Sequence, residues 1–185
     1  MASGRLRIIG GRYRGRKLPV PDQPGLRPTG DRVRETLFNW LQPVIEGARC
    51  LDLYSGSGAL AFEAASRGAA EVVMVEQAEP VARILEANIR LLGASELRVV
   101  RGDALDWLSV PGGAFDIVYL DPPFAAGLLA PSCELLERNR WLAPQALVYI
   151  EAPANEGLPR LPGSWRLVRD KQTGQVRYAL AMRAA

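Results

Sequence analysis

Arg49–Glu63 reads RCLDLYSGSGALAFE, and the interpretation of this stretch decides the fold. Cys50, Leu51 and Leu53 are apolar around Asp52, small residues follow at Ser55-Gly56-Ser57-Gly58, and a helical pattern runs from Ala59 to Ser66. A strand, a glycine turn and a helix in that order open a nucleotide-binding α/β sheet. The glycines admit positive φ and let a ligand approach the backbone. The helix behind them offers unpaired N–H groups. Gly56-Ser57-Gly58-Ala59-Leu60-Ala61 fits the dinucleotide pattern GxGxxG/A, so NAD is one reading. Asp52 shifts the balance, because a carboxylate near the end of a buried strand is costly unless a cation or donor meets it. The amino group of S-adenosylmethionine (SAM) would meet it, whereas a pyrophosphate would be repelled. A third reading has Asp52 capping local backbone N–H groups.

The 185 residues suit one domain with a substantial core. The chain is 48% hydrophobic and 23% charged, an ordinary soluble composition. No apolar run is long enough to span a membrane, and the start, MASGRLRIIGGRYRGRK, lacks the apolar segment of a signal peptide. Cys50 and Cys133 fit no metal spacing, so no metal and a reducing cytoplasm are expected. There is no histidine, which removes the commonest general base and with it most hydrolase mechanisms.

Charge is unevenly placed. The net charge is +3, yet residues 1–50 carry ten Lys/Arg against four acids. Arg5, Arg7, Arg12, Arg14, Arg16 and Lys17 are six positives with no acid between them. Such a segment on a more acidic body suggests a nucleic-acid arm, with a solvated face as the plainer alternative. Alternation in Arg5–Ile9, a stop at Gly10-Gly11 and a second run, Tyr13–Val20, predict a basic hairpin. Tyr13 would stack on a base there or, alternatively, cover the sheet. The expected organisation is one domain over 1–185, with 1–30 as a basic hairpin and loop extension.

Asp31 is expected to cap a helix reaching about Gln42, with Val33, Leu37, Trp40 and Leu41 as its buried stripe and Arg32 and Arg34 off it. Strands are expected at Arg49–Tyr54, Glu71–Glu76, Leu97–Arg101, Ala114–Leu120 and Gln145–Glu151, alternating with helices. Trp165–Asp170 and Val176–Met182, joined around Thr173-Gly174, form a closing hairpin. Glu76 ends the second strand where an acidic residue about 20 positions on binds ribose hydroxyls. Asp103 follows the third, either accepting from an adenine amine or capping the next short helix.

The fourth strand ends in Asp121-Pro122-Pro123-Phe124. Two prolines stiffen the chain and donate no N–H, so carbonyl and carboxylate oxygens dominate. They make an acceptor pocket for an exocyclic NH₂, with Phe124 placed to stack on an aromatic base. A base amine is a poor nucleophile, and accepting its protons on Asp121 and the Pro122 carbonyl favours a pyramidal nitrogen. Alignment with an activated methyl then needs neither histidine nor metal.

DLYSGSGALAFEAASRGA and DPPF resemble motifs of class I SAM-dependent methyltransferases, DPPF being a form of the amino-methylating [DNS]PP[YFW] signature. RIIGGRYRGRKL and GLRPTGDRVRETLFNWL resemble more specifically the RsmD family of 16S rRNA guanine-N2 methyltransferases, over almost the whole chain. Tyr54-Ser55 stands where Phe-Ala is more usual. The resemblance implies a Rossmann-like seven-stranded, mostly parallel sheet of order 3-2-1-4-5-7-6, its last strand antiparallel, with helices on both faces. It implies Asp52, Tyr54, Gly56, Gly58, Glu76, Gln77, Asp103, Ala104 and Asp121 toward SAM, which leaves as S-adenosylhomocysteine. Asp121, Pro122, Pro123 and Phe124 would hold the target guanine(966). Arg5, Arg7, Arg12, Tyr13, Arg14, Arg16, Lys17, Arg27, Arg32 and Arg34 would meet 16S rRNA in an assembled or late-assembling small subunit. A cytoplasmic monomer is expected. The competing readings are an adenine-N6 methyltransferase, an NAD-dependent oxidoreductase and a non-catalytic RNA-binding assembly factor.

Overall fold

The computed structural model describes residues 2–22 and 30–185. Five strands, β3 (Arg49–Asp52), β4 (Glu71–Glu76), β5 (Leu97–Arg101), β6 (Phe115–Leu120) and β7 (Leu142–Pro153), lie parallel. β9 (Val176–Arg183) runs antiparallel to β7, and β8 (Trp165–Thr173) pairs on its outer side. The sheet order is β5-β4-β3-β6-β7-β9-β8. Counted from β3, that is the 3-2-1-4-5-7-6 order that the family resemblance implies.

The strands are apolar on both faces because helices cover both. Cys50, Val72, Met74, Ile117, Tyr119 and Tyr149 belong to one core cluster. Their neighbours Leu51, Val73, Val75, Val118 and Val148 belong to the other. This is the period-two alternation of a strand. The first cluster is closed by α1 (Asp31–Leu41), α2 (Ala59–Ser66) and α3 (Glu79–Leu92). The second is closed by α4 (Ala104–Leu108) and α5 (Leu129–Arg138).

Element bounds differ from expectation where the chain must turn. β3 stops at Asp52, two residues early, because Leu53 and Tyr54 already bend toward the glycine loop. β7 begins earlier, at Leu142, and carries an irregularity: Phe115 faces Leu142 while Ile117 faces Leu147. Gln145 sits inside it at φ 60°.

β1 (Ala2–Arg7) and β2 (Lys17–Pro21) form the expected antiparallel hairpin, but it is not a separate arm. Leu6, Ile8, Leu18 and Val20 are buried in the first core cluster. The turn is docked on the end of α2: Arg12 N and Tyr13 N donate to Ser66 O and Ser66 Oγ at 2.7 and 2.8 Å. Gly11, at φ 74°, allows this, because a Cβ there would stand 1.9 Å from Ser66 O. The position therefore needs glycine on two counts.

Two arm residues are corrected by this packing. Tyr13 is only 9% exposed. Its hydroxyl reaches Glu96 at 3.1 Å and Arg12 covers its ring, so it packs on the body and has no face open to stack on a base. Arg34, expected off the buried stripe and toward RNA, is 1% exposed. Its guanidinium donates to Asp31 at 2.6 Å and to the Arg7 carbonyl at 3.1 Å, and stands 3.6 Å from Glu63. The cause is Glu63, which is fully buried on α2. A buried carboxylate must be paired, and Arg34 and Arg67 supply the charge while Ile9 N and Gly10 N donate at 3.0 and 2.8 Å. Asp31 is likewise not the N-cap; Gly30 takes that position and Asp31 serves Arg34 from the first turn.

Breaking a buried ion pair by removing one member costs about 3–5 kcal/mol. Glu63→Ala should lower stability by about that amount in urea denaturation. It should also release the amides of Ile9 and Gly10 to fast hydrogen exchange. An unchanged midpoint with protected amides would show that the hairpin is held by its apolar contacts alone.

Candidate active site at the carboxyl edge of the sheet

All five parallel strands end on one edge, and each brings an acid there: Asp103 after β5, Glu76 at the end of β4, Asp52 ending β3, Asp121 after β6 and Glu151 near the end of β7. A cavity of about 380 Å³ lies against this edge. Asp52, Tyr54, Gly56, Glu76, Gln77 and Asp103 line it, with Ala104 and Asp121. The strand ends thus bring the expected SAM set together, except that Gly58 stands behind the loop as the N-cap of α2. Gly58 has φ 79°, and a Cβ on it would lie 2.5 Å from the Phe62 ring. Its glycine thus serves close packing of the loop on α2 as well as the turn.

Glu76 already has partners in the protein. One carboxylate oxygen accepts from Gly56 N at 3.0 Å and the other from Ala78 N at 2.8 Å. It clamps the glycine loop to the end of β4. A carboxylate has about four acceptor directions, so two remain for ribose hydroxyls. Asp103 resolves one alternative: its Oδ1 accepts from Leu105 N and Asp106 N at 2.8 and 3.0 Å, making it the N-cap of α4. Both bonds use one oxygen, and the residue still borders the cavity.

Asp52 is buried, and none of the ion pairs among the described residues involves it. Burial raises its carboxyl to about 8, reinforced by the negative charges of Asp121 and Glu76 and opposed by backbone donors at Ala61 and Tyr54. The capping alternative thus amounts to a weak pull from the Ala61 and Tyr54 backbone donors that does not offset burial. A cationic ligand group entering the cavity would favour the ionised form.

Tyr54 has a structural use. Ser132 Oγ donates to Leu128 O at 2.6 Å, so the Tyr54 hydroxyl donates to Ser132 at 2.7 Å. This chain of two bonds ties the glycine loop to the segment that follows Phe124. Pro122, Pro123 and Leu128 line both the first cavity and a second one of about 240 Å³. Phe124, 42% exposed, and Glu156 border only the second. Asp121-Pro122-Pro123-Phe124 is thus the wall between the cavity bordered by the strand-end acids and a smaller one bordered by the Phe124 ring.

Sequence reasoning missed Glu151, which is 7% exposed, with Tyr149 donating to it at 2.9 Å. Its position at the carboxyl end of the fifth strand, level with the acids of the other four, was the available signal.

The basic residues lie elsewhere. Arg12 pairs with Glu96 just before β5, and Arg16 donates to Leu91 O at the end of α3. These points, like Ser66, mark the amino edge of the sheet. The hairpin turn therefore stands one strand length, roughly 17–20 Å, from the acidic edge. Arg5, Arg7, Arg12, Arg14, Arg16, Lys17 and Arg32 are exposed, although Arg7 reaches Asp31 at 3.4 Å. Arg27 lies outside the described residues.

The sheet order, the glycine loop and the Asp-Pro-Pro-Phe wall together define the class I methyltransferase fold. The family model described as "Conserved hypothetical protein 95" matches residues 6–182, and the chain belongs to that family, the RsmD family of methyltransferases. It is 54% identical over 183 residues to "Ribosomal RNA small subunit methyltransferase D" of Escherichia coli (strain K12), covering 99% of this chain and 92% of that protein. A Haemophilus influenzae protein of the same name is 47% identical, covering 97% and 94%. The solved structure of Escherichia coli yhhF superposes with TM-score 0.94 at 50% identity, covering 98% and 99%.

Asp52 makes stability pH-dependent. With a folded value near 8 against 3.8, the folded chain holds a proton that the unfolded chain has lost. That contribution is complete below about pH 4 and disappears as pH rises through about 8. Asp52→Asn should flatten this decline in denaturation midpoints measured across neutral pH. A slope identical to wild type would mean that Asp52 is already ionised in the fold.

Proposed function

We propose that this protein is a SAM-dependent methyltransferase acting on the exocyclic N2 amine of a guanine in 16S rRNA of the small ribosomal subunit. We read residues 1–185 as one domain acting as a cytoplasmic monomer, at the guanine(966) position that the family resemblance implies. The observation that carries the reading is the wall Asp121–Phe124 between two cavities, one suited to the cofactor and one open to a base. The names of its close relatives support ribosomal RNA as the substrate.

The residues of the first cavity fit SAM. Asp52 would hold its ammonium, Glu76 the ribose hydroxyls, and Asp103 with Ala104 the adenine. SAM supplies a methyl group already activated by its sulfonium. The protein's work is then placement. Asp121 and the Pro122 carbonyl accept the two N–H groups of the guanine amine, Phe124 stacks on the ring, and the Pro pair fixes both acceptors against thermal drift. The acceptors favour the localised lone pair and the charge that develops on nitrogen.

The arginines of the hairpin turn stand too far from the wall to touch the same nucleotide. They would instead engage phosphates of a neighbouring RNA segment, so the reading requires a folded RNA that spans both edges. An assembled or late-assembling subunit meets that requirement.

Labelled SAM and unmodified small subunits should yield one labelled N2-methylguanine when the RNA is digested and mapped. Label on adenine or none at all would overturn the assignment. Asp121→Ala should slow single-turnover transfer about 100-fold or more with SAM affinity near wild type.

The RNA surface has its own test. Changing Arg12, Arg14 and Arg16 together to Ala should weaken subunit binding and reduce its dependence on salt by roughly one unit of slope per lost phosphate contact. Equal slopes for variant and wild type would place the phosphate contacts elsewhere.

A further inference from the structure

Glu151 lines neither cavity, yet its position at the strand ends is expensive. β6 and β7 pair in parallel with Leu120 opposite Ile150, so the next residues, Asp121 and Glu151, are neighbours across the two strand ends. Glu151 is buried, and none of the ion pairs among the described residues includes it. Among the described residues, the titratable groups facing it are Asp121 from β6, Tyr149 on its own strand, which donates at 2.9 Å, and Tyr178, its register partner on β9. Two carboxylates this close, one of them out of water, cannot both be ionised without large cost. A single proton between them removes that cost. Burial and the Asp121 charge accordingly hold the Glu151 carboxyl up at about 7, against the pull of the Tyr149 hydrogen bond.

We propose that Glu151 is a positioning residue for the reaction: with Asp121 it forms a carboxyl pair that shares one proton at rest, and once that proton has left for solvent the negative charge of Glu151 makes Asp121 a stronger acceptor for the proton that the target amine gives up. This rests on the methyl-transfer reading above. The amine lone pair forms the new N–C bond while the S–C bond breaks, its electron pair staying on sulfur. Nitrogen then carries a positive charge and loses one N–H proton to Asp121, the bonding pair returning to nitrogen. The pair afterwards releases that proton to solvent. Glu151 touches neither base nor cofactor; it acts through the charge it places beside Asp121. Coupled in this way, the two carboxyls titrate as a unit.

The test uses the full chain, Glu151→Gln and, as a second variant, Tyr149→Phe. Infrared difference spectra recorded in an Asp52→Asn background, which removes the other carboxyl held near neutrality, should show a protonated-carboxyl band that disappears as pH rises through neutrality. The band should be missing when Glu151→Gln is added to that background. With saturating SAM, which removes Asp52 ionisation from the kinetics, wild-type single-turnover transfer should rise with pH through the same region. Glu151→Gln should lack that rise and run about tenfold slower on the alkaline side, the equivalent of one unit in the proton affinity of Asp121, while SAM affinity holds. Tyr149→Phe removes a donor to the ionised form, so its inflection should move to higher pH. Coincident pH profiles for wild type and Glu151→Gln, or a carboxyl band that survives the substitution, would overturn the proposal. Absence of transfer by wild type itself would instead overturn the functional reading, leaving the infrared result to decide the shared proton.

Discussion

Crowding of carboxylates at one edge of the sheet is the constraint on which the rest of this structure turns. Parallel strands all finish on the same side, and here all five carry an acid to that finish. Such groups repel one another and lose hydration as the loops close over them. The protein relieves the strain differently at each strand. Glu76 is held by backbone N–H groups of the glycine loop, and Asp103 by the first turn of α4. Asp52 and Glu151 are held up toward neutrality by burial and by Asp121 between them. The glycine loop, the cap of α4 and the rigid proline wall are local answers to one electrostatic problem.

The same constraint explains what could be read from the chain. Apolar runs separated by helical periods gave the strands, and acids closing four of the five runs marked the edge, while the sheet order came from the family resemblance. Burial of charged side chains was not. Arg34 and Arg32 look alike in the sequence, both placed off the apolar stripe of α1. Only the arrival of Glu63 from α2, roughly 100 Å of extended chain away, turns Arg34 inward. Tyr13 was equally ambiguous, since an aromatic between arginines suits a base or a core, and the ledge offered by Ser66 and Glu96 decides for the core. Glu151 lay hidden in the run ALVYIEAP, where the acid reads as the strand's polar end.

The hairpin changes meaning once it is seen as part of the core. Glu63 ties Ile9 and Gly10 to α2, and α2 begins at the glycine loop that borders the cavity. One short helix, about 12 Å long at 1.5 Å per residue, therefore links the basic turn at one edge to the acidic loop at the other. A displacement of the turn would have to strain the buried Arg34–Glu63 pair before it reached the loop, so the two edges are held at a set separation.

That separation sorts the parts of a nucleotide by charge. A phosphate approaching the strand ends meets five acids and is turned away, whereas a neutral base rich in N–H donors meets acceptors. The exposed arginines of the hairpin turn stand across the sheet, where no acid of the strand ends competes for them. Under the proposed function, guanine presents its amine and ring N–H together on one side, so a wall of carboxylate and proline carbonyl would suit it better than it would suit pyrimidine carbonyls. Selectivity at the wall would then come from excluding charge as much as from contact with the base, and affinity for RNA would be supplied by a surface that never meets the reacting atoms.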